Sequence, residues 1–153
     1  MAISPGDAAP DFDVKNQDKE SVTLSALLED SAVALVFYPF TFSGLCEDEL
    51  CSLRDDKSQF EAAGVRVVAI SCDTPFVQKK WSEEQGFDFP VLADNWPHGA
   101  VAQAYGVFNE AVGCANRATF LIGQDGTVVD TFATDSLGTA REQERYHEAV
   151  AKL

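Results

Sequence analysis

Positive charge is scarce in this chain. Eleven lysines and arginines stand against 25 aspartates and glutamates, a net charge of −14 with a pI near 4.3. With no basic patch to neutralise phosphates, nucleic acid is not expected as a partner, and docking on an anionic membrane is disfavoured. Such an acidic surface keeps a protein soluble, or steers a basic reductant protein toward it. Long apolar runs are missing as well: nothing approaches the roughly 20 residues that span a bilayer. The stretch Met1-Ala2-Ile3-Ser4-Pro5-Gly6-Asp7 has neither a basic start nor the apolar segment of a secretory signal, so the cytoplasm is the expected location. Histidine occurs only as His98 and His147, and no Cys-x-x-Cys pair is present. Neither a metal site nor a cofactor is expected on that inventory. Repeats, low-complexity tracts and linkers are also lacking, so residues 1–153 read as one domain, long enough to bury a full core.

What the chain does have is four cysteines, Cys46, Cys51, Cys72 and Cys114. A core of this size needs no disulfide staples, and in a reducing compartment cysteines do chemistry or fill space. Cys46 has the most telling surroundings. The apolar run Ala32-Val33-Ala34-Leu35-Val36-Phe37-Tyr38, bounded by Pro39, reads as a buried strand. The segment Glu47-Asp48-Glu49-Leu50-Cys51-Ser52-Leu53-Arg54 reads as a helix with acids in its first turn, as a helix N-terminus favours. A cysteine in that first turn has its thiolate stabilised by the positive end of the helix.

The remaining pattern gives an order of elements. Phe12–Val14 and Ser21–Leu24 form a hairpin, Ser25–Asp30 a short helical turn, and Val65–Ser71 a second core strand. The helix from Cys46 is expected to run to Ala62 or Ala63 and stop at Gly64. Thr74-Pro75 opens a helix that Gly86 closes, and Gly99–Tyr105 forms another. Ala118–Ile122 and Thr127–Phe132 pair across Gly123-Gln124-Asp125-Gly126, and Thr139–Lys152 ends the chain as a helix. This order matches an α/β, thioredoxin-like fold with an N-terminal β-hairpin extension, its catalytic loop at the C-terminal end of a parallel strand.

The spacing Pro39-x-x-x-Ser43-x-x-Cys46 resembles the peroxidatic signature of the peroxiredoxins, and Asn116-Arg117-Ala118-Thr119-Phe120 resembles a second element of that family. The stretch from Asp94 through Trp96, Pro97 and His98 to Glu110 resembles the actinobacterial one-cysteine alkyl hydroperoxide reductase E group, and similarity to that group starts at Pro5. The resemblance implies a thiol-dependent peroxidase for hydrogen peroxide, organic hydroperoxides or peroxynitrite. Cys46 would attack the peroxide bond and become a sulfenic acid, Ser43 would hydrogen-bond the peroxide, and Pro39 would shield the sulfur. Arg117 would lie beside Cys46 and orient the peroxide oxygens. Reduction would come from mycothiol, mycoredoxin or thioredoxin.

Cys51 departs from the one-cysteine pattern. A cysteine five residues after the peroxidatic one resembles the bacterioferritin-comigratory group, in which it resolves the sulfenic acid as a disulfide. Here it is either a resolving thiol or a passive residue of the helix face. Cys72 and Cys114 read as packing thiols. Phe42 and Trp96 are candidates for an apolar collar around the pocket or for a dimer interface. Trp81 reads as core, His98 as a loop residue, and Glu49 as a partner for Arg117. With its short C-terminus the chain is expected to be a monomer or a small homodimer. A non-catalytic sensor that relays oxidation from Cys46 to a partner is the alternative function.

Overall fold

The computed structural model describes residues 3–153. After β1 (Asp13–Lys15) and β2 (Ser21–Thr23), α1 (Leu24–Leu28) leads into β3 (Ala32–Phe37). Then come α2 (Gly44–Asp55), α3 (Lys57–Ala62), β4 (Val65–Ser71), α4 (Pro75–Gln85), β5 (Val91–Ala93) and α5 (Ala100–Ala104). A small pair, β6 (Phe108–Asn109) and β7 (Cys114–Ala115), precedes β8 (Ala118–Ile122), β9 (Val128–Ala133) and α6 (Gln143–Val150).

Seven strands form one sheet in the order β2-β1-β5-β4-β3-β8-β9. β3 pairs parallel with β4, and β4 with β5, while β8 runs antiparallel to β3. The central strand explains why sequence pattern finds it so readily. All six of its residues are buried, because a strand alternates sides and here both sides are covered. Val33, Leu35 and Phe37 enter one core with Leu24, Ile70, Tyr105 and Phe120. Ala34, Val36 and Tyr38 enter the other with Leu50, Phe60, Trp81 and Tyr146. α2, α4 and α6 cover this second core, so the helix that carries Cys46 rests on a filled sheet face.

Several boundaries differ from those expected. The long helix breaks at Asp56 (φ −94°, ψ 5°) into α2 and α3, although Gly64, at φ +78°, closes it as expected. α4 begins at Pro75 and is capped by left-handed Gly86, as read. The last helix starts at Gln143, four residues late, and ahead of it the Arg141 N–H donates to Glu49 Oε2 at 2.7 Å. The boundary is Glu142, whose extended backbone (φ −74°, ψ 127°) ends the run before it. β5 and the β6–β7 pair had no expectation: three and two residues are too short to show a period. Among the described residues no helix is long and apolar enough to cross a membrane.

Candidate active site

Where β3 ends, the chain turns through residues 39–43 into α2. The turn is held from below. Thr41 N–H donates to Asp73 Oδ2 at 2.8 Å, and the Tyr38 and Thr41 hydroxyls lie 2.9 Å apart. Asp73 Oδ2 also accepts from the Ser71 hydroxyl at 2.7 Å, and Gln78 Nε2 donates to that hydroxyl at 2.9 Å. Burial, with the nearby Asp73 charge, pushes the Tyr38 phenol well above its usual range, so it stays neutral. Pro39 is buried beneath the loop. Phe42 takes φ +71°, a left-handed conformation that a bulky side chain adopts only when its surroundings enforce it. Its ring, half exposed, lies 6.2 Å from that of Trp81.

Ser43 sits at the N-cap of α2, yet its hydroxyl makes no capping hydrogen bond. That leaves it free to meet a ligand. Cys46 is the third residue of α2, and none of its surface is exposed. It shares the inward face of the helix with Glu49, Leu50 and Leu53, as i, i+3, i+4 and i+7 positions do. Trp81, wholly buried, donates from Nε1 to Glu47 Oε1 at 3.0 Å and ties α4 to the turn that carries Cys46.

Arg117 comes from the approach to β8. Its Nη1 donates to Glu49 Oε1 at 2.6 Å and its Nε to Leu137 O at 2.7 Å. Nη2 donates to no group among the described residues, so a ligand can use it. The pairing of Arg117 with Glu49 was read from the sequence; the second arginine was not. Arg141 is buried and donates to both oxygens of Glu49, from Nε at 3.1 Å and Nη2 at 3.0 Å. Its Nη1 reaches Phe37 O, Ala118 O and Thr119 Oγ1 at 2.7, 3.0 and 3.2 Å. Burial opposes ionisation of Glu49, but hydrogen bonds from Arg141 and the charges of Arg141 and Arg117 hold its carboxyl below the usual 4.5. Two guanidinium groups against one carboxylate leave one positive charge beside α2. Nothing local marked Arg141 for burial: it lies in a polar stretch that passes for an exposed helix.

The other sequence candidates scatter. Cys51, on the same helix, turns toward α4, where its Sγ donates to Gln85 Oε1 at 3.6 Å. Trp96 is 85% exposed, on the loop after β5, in a recess shared with Asp11, Pro97 and Ala104 that none of Pro39, Ser43, Cys46 or Arg117 lines. Phe42 and Trp96 therefore do not form one collar. His98 is a loop tie, as read, donating from Nε2 to Gly113 O at 2.6 Å. Cys114 is wholly buried and Cys72 partly so. Burial and the Asp94 and Asp73 charges push the Cys72 thiol up to about 12. Among the described residues no cluster of three metal-ligating side chains occurs.

A helix-start cysteine, an uncommitted hydroxyl at the N-cap and a guanidinium tied to the same helix one turn on suit attack of a thiolate on a small oxygen electrophile. Comparisons with known proteins point the same way. The profile of the AhpC/TSA family matches residues 5–131. Alkyl hydroperoxide reductase E of Mycobacterium tuberculosis is 42% identical over 151 residues, 99% of this chain and 98% of that protein. The crystal structure of peroxidoxin BcpB from Mycobacterium tuberculosis superimposes with a TM-score of 0.87 at 32% identity, covering 98% of this chain and 96% of that one. That of Enterococcus faecalis AhpC gives 0.87 at 26% identity, covering 99% and 92%. With family profile, full-length relative and thioredoxin-like architecture in agreement, the chain belongs to the AhpC/TSA family and is a peroxiredoxin, an oxidoreductase that reduces peroxides with a thiol.

Proposed function

We propose that Cys46 is the peroxidatic residue and that one turnover leaves it as a sulfenic acid. Its thiolate attacks the distal oxygen of a hydroperoxide, the O–O bond breaks, and the leaving oxygen takes a proton to depart as water or alcohol. Lowering a thiol's pKa also lowers its nucleophilicity, so thiolate formation alone is insufficient for fast reaction. The rest comes from donors aimed at charge that grows on the leaving oxygen. Arg117 Nη2, the Ser43 hydroxyl and N–H groups at the start of α2 are those donors, and Pro39 keeps water from the sulfur. Hydrogen peroxide, organic hydroperoxides and peroxynitrite are the substrate class.

The observation that carries this reading is the Glu49–Arg117 contact of 2.6 Å, one helical turn from a wholly buried Cys46. It holds the Arg117 guanidinium against the helix that carries Cys46, and both members of the pair are themselves buried. For reduction of the oxidised enzyme we propose mycothiol, mycoredoxin or thioredoxin. The protein works in the cytoplasm as one domain, a monomer or a small homodimer, with Phe42 and Trp96 on its apolar surface. Cys46→Ser should abolish peroxide consumption while leaving the melting temperature within a few degrees. Turnover retained in that variant would refute the assignment.

A further inference from the structure

The two tryptophans of the chain are placed oppositely. Trp81 is wholly buried, packs against Tyr38, Phe42 and Phe87 and donates to Glu47. Trp96 has none of these ties and is 85% exposed. It stands at the lip of a recess of about 240 Å³ between β1 and the start of α5. Val14, Pro97, Ala100 and Ala104 give that recess apolar walls. Its only charged residues are Asp11, Asp13 and Asp94, and no lysine or arginine lines it. Asp94 is buried and accepts the Val101 and Ala102 N–H groups at 3.0 and 2.9 Å, one on each oxygen. Asp11 and Asp13 are exposed, and neither enters an ion pair among the described residues.

Apolar walls, carboxylates without cations and a bare indole face fit a side chain that is apolar along its stem and cationic at its end. Arginine meets all three, since its guanidinium stacks on an indole and forks to a carboxylate while its stem lies on apolar surface. The place of the recess says whose arginine it takes. Phe37 is level with Ile70, and Ile70 with Leu92, in the parallel strands β3, β4 and β5. All three strands therefore end on one edge of the sheet. The chain leaving β3 leads to Cys46, and the chain leaving β5 carries Trp96. Two strand spacings, about 10 Å, separate those exits. The recess backs onto the first core through Phe12 and Val101, whereas Cys46 belongs to the second, so one occupant reaches both only if it is large. A standard protein interface covers about 800 Å² on each partner, a patch roughly 30 Å across, and spans them. A second copy of this chain, at −14, would meet the acidic rim with like charge.

We propose that the Trp96 recess is the docking seat of a protein dithiol that reduces oxidised Cys46, and that it takes an arginine of that partner. This rests on the peroxidatic reading of Cys46. With the partner seated, one of its thiolates attacks the Cys46 sulfur, the S–O bond of the sulfenic acid breaks, and the departing hydroxide takes the proton which that thiol released to give water. The partner's second thiolate then attacks the partner sulfur of the mixed disulfide, which frees the Cys46 thiolate and leaves the partner oxidised. The two electrons given to the peroxide are thereby replaced. Because Cys46 is wholly enclosed, the loop over it has to open before either attack, and a seated partner is present at high local concentration whenever it does.

The test oxidises the full chain, Trp96→Ala and an Asp11→Asn, Asp13→Asn double variant with one equivalent of hydrogen peroxide. It confirms oxidation of Cys46 by peptide mass and follows reduction by thioredoxin, by mycoredoxin and by dithiothreitol. Both variants should fold, since Trp96 is largely exposed and an asparagine at 11 keeps an oxygen for the Phe12 and Ser25 N–H groups. With the faster protein dithiol, KM is expected to rise about tenfold or more in each variant while kcat holds within about twofold, as loss of a docking anchor requires. The rate constants with dithiothreitol and with peroxide should stay within about twofold. Raising salt from about 20 to about 300 mM should raise KM in the full chain and in Trp96→Ala, but hardly in the double variant. An unchanged KM, a dithiothreitol rate that falls as far as the protein rate, or failure of both proteins to outpace dithiothreitol on the full chain would overturn the docking seat alone. A dimer in sedimentation that Trp96→Ala splits would give the recess to a second copy and overturn it as well. Cys46 left unoxidised in all three proteins would overturn the peroxidatic reading, and the docking seat with it.

Discussion

Glu49→Gln isolates the charge at the centre of the site with little change of shape. Glu49 accepts four hydrogen bonds, from Arg117 Nη1 and from the Arg141 N–H, Nε and Nη2 groups, at 2.6 to 3.1 Å. A glutamine keeps one accepting oxygen, but its NH2 points donors at donors, and both guanidinium groups stay buried without an anion. Removing one partner of a buried ion pair costs about 3–5 kcal/mol. Against a total stability of about 5–15 kcal/mol the variant should still fold. At about 2–4 °C per kcal/mol for this chain length, the melting temperature should drop by about 6–20 °C. The assay is urea unfolding followed by tryptophan fluorescence, since Trp81 is wholly buried, repeated from pH 7 to pH 3. The Glu49 carboxyl sits below 4.5 in the folded protein, so the folded state holds that proton less tightly than the unfolded state. Its stabilisation is present above about 4.5 and is lost as pH falls through the lowered folded value. The two stability curves should therefore differ most near neutrality and approach each other in acid. Equal stability at pH 7, or a constant gap down to pH 3, would refute the reasoning. The second-order rate with peroxide should also fall, by roughly 10–100-fold, because a catalytic group misplaced by about 1 Å loses about that much.

Two further substitutions probe the loop. Ser43→Ala should lower the peroxide rate constant by roughly tenfold or more, the range for one hydrogen-bond donor to developing charge. It should leave urea stability within about 0.5 kcal/mol, well short of a normal N-cap loss of about 1, because the hydroxyl caps nothing; a full capping loss would show that the serine is structural. Asp73→Ala removes the acceptor for Thr41 N–H and the Ser71 hydroxyl and should destabilise by about 1–3 kcal/mol. Limited proteolysis should then cut within 39–43, and a loop as resistant as before would count against the tether.

Much of the architecture was legible because burial imposes a readable period. β3 is a continuous apolar run, and β4 nearly one apart from exposed Arg66, because both faces of the sheet are covered, and α4 is framed by Pro75 and Gly86, whose backbone constraints act locally. The Pro39, Ser43, Cys46 and Arg117 set was legible only through likeness to a family, since no local rule brings residue 117 to residue 46. What stayed hidden is tertiary. Arg141 turns inward to satisfy three backbone or hydroxyl oxygens and a carboxylate from three separate segments, β3, β8 and α2. Trp96 and Phe42 look alike as aromatic loop residues, yet the former follows β5 and the latter β3, with β4 between them in the sheet.

The complete enclosure of Cys46 reverses the order in which reagents should find it. An ordinary free thiolate meets bulky alkylating agents and small oxidants with rates set by electronic demand. Here size is the first filter. None of the sulfur's surface is open to water, so peroxide and an iodoacetamide or maleimide alike reach it only when the loop opens, and the smaller molecule needs the smaller opening. Alkylation of Cys46 therefore becomes a clock for loop opening, and peroxide, chemically the less aggressive reagent toward most cysteines, wins the race at this one.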